Sequence, residues 1–183
     1  MVVVKAKPNG HAQVVDTRRE KPDLHDTLVR KASTWLRKQG CGVVVTDSIQ
    51  AITPSGERPD AIGWRDGLSV LIECKASRSD FLADRHKPFR VVPEEGMGDW
   101  RFMLCPEGLI APEELPSGWG LLYLSGQRVC SISGVPTNTE WWAKKPFRGE
   151  KHCESILLAS ALRRYQRVYG RYLLQKGVVL TGR

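Results

Sequence analysis

Arg58-Pro59-Asp60-Ala61-Ile62-Gly63-Trp64-Arg65-Asp66-Gly67-Leu68-Ser69-Val70-Leu71-Ile72-Glu73-Cys74-Lys75 is the informative stretch of this chain. Its centre, Asp66-Gly67, is a two-residue hairpin signal, because a type I′ turn needs positive φ at both central positions. Strands are expected over 58–64 and 68–75. Such a turn makes Arg65 face Leu68, Ile62 face Leu71 and Asp60 face Glu73. Opposed residues on one face have Cβ atoms about 4.5–5.5 Å apart, so the two carboxylates converge and repel. A divalent cation relieves that repulsion, and Mg²⁺ commonly takes one or two protein carboxylates together with phosphate and water. Without it the pair is a local strain, and removing one member is expected to cost the fold little. Alternation sets Val70, Ile72 and Cys74 on one face, expected under a helix, and Leu71, Glu73 and Lys75 on the other. Lys75 then stands beside the carboxylates, where a cation stabilises charge developing on a phosphate. Taken as spacing alone, the pattern equally describes a solvated strand face with an exposed ion pair.

Working outward, 23–39 reads as an amphipathic helix, with Leu24, Leu28, Ala32, Trp35 and Leu36 on one stripe. Asp23 is its expected N-cap and Gly40 its left-handed stop. A first strand is expected over 43–53, with a turn at Pro54-Ser55-Gly56. A short helix over 79–87, capped by Ser79, follows the Glu73–Lys75 strand. Further strands are expected at 100–104, 120–124 and 128–133, and a long helix at 150–175. That helix carries an apolar stripe of Leu158, Ala161, Leu162, Tyr165, Val168, Tyr169 and Tyr172. This order predicts an α/β sandwich, a central mixed sheet flanked by helices. Residues 1–21 read as a mobile basic arm and 22–183 as a single domain.

The composition agrees: 183 residues, 41% hydrophobic and 26% charged, describe a globular domain able to bury its own core. A net charge of +8 favours polyanionic partners without identifying one. The five cysteines (41, 74, 105, 130, 153) contain no C-x-x-C pair and read as reduced, small apolar residues. No run of about 18 apolar residues is present, so no membrane partner is expected, and a cytoplasmic location is.

The segments Arg58-Pro-Asp60-Ala-Ile-Gly63 and Val70-Leu-Ile-Glu-Cys-Lys-Ala-Ser-Arg-Ser-Asp-Phe81 resemble the PD-(D/E)XK nuclease superfamily. Within it they most resemble MmcB-type DNA-repair proteins and their phage-borne relatives. The similarity runs from about Leu24 to Leu124 and takes in Leu104–Pro116 and Trp119-Gly-Leu-Leu122, while the last sixty or so residues match nothing in it. The resemblance implies a restriction-endonuclease-like fold. It also implies a Mg²⁺- or Mn²⁺-dependent endonuclease acting on DNA, in repair, recombination or phage replication in a bacterial cytoplasm. Asp60 and Glu73 would bind the metal, the Cys74 carbonyl would be a further ligand, and Lys75 would orient or activate water. Many relatives carry a metal-facing Glu on the first helix; here that helix offers His25 and Asp26, so one-metal and two-metal chemistry both stay open.

Ser77 and Asp80 follow the strand closely enough to be accessory residues, or to cap the next helix. Arg78, Arg85, His86, Lys87 and Arg90 form a basic cluster placed to meet phosphates. Arg163, Arg167 and Arg171, with Arg164 beside them, make a stripe that can track a phosphate backbone or simply face water. Trp141-Trp142, before Lys144-Lys145, reads as base-stacking or as packing. Besides a nuclease, possibilities are a non-cleaving module that binds nucleic acid or a partner protein, and a scaffold in which the triad is an ion-pair cluster. A homodimer is compatible with each.

Overall fold

The computed structural model describes residues 3–5, 13–15 and 23–175, with the backbone alone described at 3–5, 13–15, 169 and 171–175. Within 1–21, read from the sequence as a mobile basic arm, β1 (Val3–Lys5) and β2 (Gln13–Val15) pair as an antiparallel two-stranded sheet. The main body is a six-stranded mixed sheet, in the order β3 (Val43–Thr46), β4 (Ala61–Arg65), β5 (Leu68–Cys74), β6 (Trp100–Pro106), β7 (Trp119–Ser125), β8 (Arg128–Ser133). β3, β4 and β5 form an antiparallel meander, β5–β6 and β6–β7 are parallel, and β7–β8 is an antiparallel hairpin. This is an α/β sandwich around a mixed sheet.

The Asp66-Gly67 turn has φ of 44° and 82°. It sets the register expected of it, with Arg65 opposite Leu68 and Ile62 opposite Leu71. β5 is buried along its whole length, so both of its faces are covered. Val70, Ile72 and Cys74 share a core with Leu28, Ala32 and Leu36 of α1 (Leu24–Lys38), while Leu71 packs with Ile62, Phe81, Met103 and Leu157 on the opposite face. Alternation along one strand thus builds two cores. α1 ends at Gly40, whose φ is +89°. Asp23 occupies the N-cap position of α1 without a side-chain cap bond.

Three expected elements are corrected. β3 stops at Thr46, because Ile49 N–H donates to the Thr46 carbonyl and turns the chain into the 47–60 loop. The helix after β5, α2 (Arg78–Asp84), is capped by Ser77, whose hydroxyl accepts from Asp80 N–H; a four-residue α3 (Pro88–Val91) follows. α4 (Glu140–Ala143) precedes the long α5 (Lys151–Gln175), which buries Cys153, Glu154 and Leu157. Leu162, Tyr165 and Val168 of the expected stripe are exposed. The helix docks through its first turns, and helical periodicity alone does not locate where a supporting sheet ends. The side chains of Tyr169, Arg171 and Tyr172 lie outside the described residues.

Candidate metal and catalytic site

The site lies where β3, β4, β5 and α1 meet. The β4–β5 ladder reaches Ala61 opposite Ile72, and one residue further the Asp60 side chain continues it, its Oδ2 accepting from Cys74 N–H at 2.7 Å. On the other side Asp47 N–H donates to the Asp60 carbonyl, which brings Asp47 alongside. From α1, His25 Nε2 approaches Asp60 Oδ1 to 3.3 Å. His25, Asp47 and Asp60 each present a ligand atom within 4.8 Å of the others. A cavity of about 120 Å³ beside them is lined by Asp47, Glu57, Arg58 and Asp60 among others.

Burial, then the charge of Glu73, pushes the Asp60 carboxyl up to about 6, against the opposing pull of the Cys74 N–H, His25 and Lys75. Asp60 and Glu73 therefore sense each other, in keeping with the register. Glu73, however, is not part of the His25–Asp47–Asp60 group. It is 3% exposed and turned into a buried ion network. Its Oε1 lies 3.0 Å from the Arg90 guanidinium and its Oε2 3.5 Å from Lys75 Nζ. Arg90 also meets Glu57 at 2.6 Å and Asp84 at 2.8 Å, and Lys75 meets Asp84 at 3.1 Å. Glu57 further accepts from Met97 N–H, and Lys87 reaches Asp84 from the rim. Glu57, Glu73 and Asp84, with Asp80 at 3.9 Å from Lys75, are thus faced by Lys75, Arg90 and Lys87. Asp47 and Asp60 lie outside those ion pairs.

Burial opposes the charge on Lys75, but Glu73, Asp84 and Asp80 together hold its pKa above the ordinary lysine value. Lys75 is therefore an ammonium, suited to stabilising negative charge and unsuited to acting as a base. Burial likewise opposes the charge on Asp84, yet Arg90 and Lys75 hold its carboxyl well below the usual range.

The remaining sequence candidates divide. Asp26 is exposed in the first turn of α1 and lies outside the His25–Asp47–Asp60 group. Ser77 is a helix cap, and Asp80 stands 3.9 Å from Lys75 with its side chain half exposed. At Cys74 the contact with Asp60 runs through the backbone N–H, where the resemblance implied the carbonyl as a ligand. Arg90, expected to face phosphates, is turned inward onto three carboxylates, because Glu57, Glu73 and Asp84 are buried and require a cation. Arg78 pairs with Glu114, Arg85 donates to the Glu114 carbonyl, and Lys87 pairs with Asp84. Arg163 and Arg167 are exposed, and Arg164 donates to the Ser48 carbonyl. Trp141 is buried against Trp100, whereas Trp142 is partly exposed and stacks near Arg65. The sequence reading missed Asp47, Glu57 and Asp84. Each belongs to a loop or helix with no periodic signal, although Asp47, one residue past the last β-branched position of β3, is readable as a strand-end carboxylate.

No family model matches the chain, and no curated protein matches it. A solved structure, the SPO1766 protein of unknown function from Silicibacter pomeroyi, is similar, with 25% identity and a TM-score of 0.54 over 85% of this chain and 94% of that one. That likeness concerns the fold; it brings no activity with it.

Proposed function

We propose that this chain is a divalent-metal-dependent nuclease that hydrolyses phosphodiester bonds in DNA. The observation that carries the reading is the grouping of two carboxylates, Asp47 and Asp60, with His25 beside the Glu73–Lys75 end of β5. The donor set fits a divalent cation: two carboxylate oxygens and one imidazole nitrogen, a mixture that suits Mn²⁺ better than an all-oxygen site would. Asp60, Asp47 and His25 would hold the ion. Bound there, it would polarise a phosphate and lower the pKa of water. Asp60 is oriented by Cys74 N–H at Oδ2, while its Oδ1 faces His25. Lys75, kept protonated by Glu73 and Asp84, supplies positive charge near the reacting phosphate. Arg90 positions Glu73.

One observation favours a second reading, a nuclease-like fold that binds nucleic acid without cutting it. Glu73 and Lys75 are 3% and 2% exposed and already engaged with Arg90 and Asp84, so neither is open to a ligand as it stands. Incubation with supercoiled, linear, single-stranded and branched DNA in EDTA, Mg²⁺ or Mn²⁺ separates the two. The nuclease reading expects metal-dependent cutting, strongest in Mn²⁺ and lost in Asp60→Asn. Binding to DNA with no cutting of any substrate in either metal would overturn it in favour of the second.

A further inference from the structure

Among the described residues, much of the basic run after β5 is neutralised. Arg78, Lys87, Arg90, Lys144 and Lys151 all have carboxylate partners. The exception with the most shape to it lies elsewhere, in the concavity between α1 and the β7–β8 turn, about 720 Å³ in volume. Arg30, Lys31 and Lys38 of α1 line one wall and Arg128 of β8 the other, with Thr34 and Gln127 between them and no carboxylate in the lining. Among the described residues none of these four cations has an ion-pair partner. Lys31 Nζ donates to the Gln127 carbonyl at 2.6 Å, which ties helix to turn and holds the wall in place. Arg30 donates to the Asp26 carbonyl and the Thr27 hydroxyl, both neutral acceptors that leave its charge unopposed.

The structure assigns this groove as the surface that holds the phosphate backbone of duplex DNA. Like charges gathered into a concavity repel one another and raise the local concentration of counter-anions. Positions 27, 30, 31, 34 and 38 recur at helical spacing and form a stripe down one side of α1. From Thr27 to Lys38 that stripe is roughly 16 Å long at 1.5 Å per residue, about the axial length of four to five phosphates of one strand. The lining mixes polar and apolar surface, and its charge is set by the four cations. At 3.6 residues per turn His25, which meets Asp60, leaves α1 on the side opposite this stripe, so the groove is a surface separate from the candidate site. The inference rests on the nucleic-acid reading above for the identity of the polyanion and on the groove itself for its location.

The test is binding of a fluorescein-labelled 20-base-pair duplex in EDTA, which keeps affinity apart from cleavage, measured by anisotropy over a series of salt concentrations. The variants are Lys31→Gln/Lys38→Gln and, on the opposite wall, Arg128→Gln. Arg163→Gln/Arg167→Gln on α5 serves as a matched charge control. Each phosphate that is no longer neutralised reduces the slope of log K against log salt by about 0.9. The double variant on α1 is therefore expected to reduce the slope by up to about 1.8, and Arg128→Gln by up to about 0.9. The α5 control should move it less. Unchanged thermal melting identifies these effects as binding effects; if Lys31→Gln loosens the turn, Lys38→Gln and Arg128→Gln alone still give the answer. Groove variants that keep the wild-type affinity and slope would overturn the assignment while leaving the nuclease reading standing. A wild-type chain that does not bind the duplex in EDTA also overturns it, and cutting of the same duplex in Mn²⁺ then decides separately whether the nuclease reading falls too.

Discussion

Asp60 and Glu73 look equivalent as a pair of opposed carboxylates, yet their surroundings give them different energetics. Asp60 has a pKa raised to about 6 by burial and by Glu73. In the unfolded chain the same group ionises near 4. The native state therefore binds the proton more tightly. This contribution to stability is fully present below about pH 4 and is lost as the pH rises through about 6, at most about 3 kcal/mol in all. Asp60→Asn keeps an acceptor for Cys74 N–H and removes the titration. Its melting temperature is expected to exceed that of wild type at pH 8 and to converge with it at pH 4.5, as followed by circular dichroism. Mn²⁺ should raise the wild-type melting temperature at pH 8 and leave the variant unmoved. Glu73 has different partners. The strain expected of the carboxylate pair does not apply to it, because Arg90 and Lys75 already compensate its charge. Glu73→Ala takes one carboxylate from Arg90 and Lys75, which keep Glu57 and Asp84, so the loss is expected to fall below the roughly 3–5 kcal/mol of a fully broken buried pair. Urea unfolding of Glu73→Ala should show that loss. A variant as stable as wild type would mean that the network contributes nothing to the fold.

At the scale of elements, the β4–β5 hairpin and the 47–60 loop do the positioning. The Asp66-Gly67 turn sets the register that sends Asp60 to the end of β5, so the site depends on one glycine with a φ of +82°. Nothing stands near the Cβ that Gly67→Ala would add, so its cost is conformational strain alone, about 1–2 kcal/mol for a non-glycine residue in the left-handed region. Gly63→Ala differs in kind. Its Cβ would meet Cys41 at 2.8 Å, so β4 and the connection from α1 to β3 must move apart. Overpacking of this sort costs about 1–3 kcal/mol. It should also weaken Mn²⁺ binding, since His25 and Asp60 are held by those two elements. Calorimetric titration of the two glycine variants distinguishes strain from displacement: Gly67→Ala is expected to keep its metal affinity and Gly63→Ala to lose part of it.

Across the whole molecule, two buried polar clusters hold the sandwich together at opposite ends of β5. One is the Glu57–Glu73–Asp84 network at its C-terminal end. The other, at Ser69, anchors α5. Glu154 accepts from Ser69 Oγ at 2.8 Å, Gly98 N–H at 3.0 Å and Trp64 Nε1 at 3.0 Å, and Lys151 bridges Glu154 to Asp99. α5 thus joins the body through polar contacts as well as through Leu157. Glu154→Ala leaves the buried Gly98 N–H unsatisfied and takes an acceptor from the half-buried Trp64, while Ser69 Oγ keeps Asp99; a buried unsatisfied group costs about 1–3 kcal/mol. The expected result is a loss of about 1–3 kcal/mol in urea unfolding, with tryptophan fluorescence red-shifted before the main transition as α5 detaches. Coincident fluorescence and circular dichroism curves would show that α5 unfolds with the sheet.

Much of this was legible in the residues by themselves. Asp66-Gly67 and the alternation of Val70 to Lys75 determine the hairpin, its register and which residues share a face, because turn chemistry and a period of two act between near neighbours. The stripe Leu28–Ala32–Leu36 determines α1 in the same local way. Tertiary structure alone decided the partners of each charge. Asp47 reaches Asp60 through strand pairing across a loop, and His25 reaches it because α1 lies over that end of the sheet. Arg90, which reads as one more basic residue in a surface run, is drawn inward because three carboxylates from separate segments are buried there together. A charge in a sequence carries no record of its burial. Whether it faces phosphate or carboxylate depends on which distant groups share its low-dielectric surroundings, and only the folded chain brings those groups together.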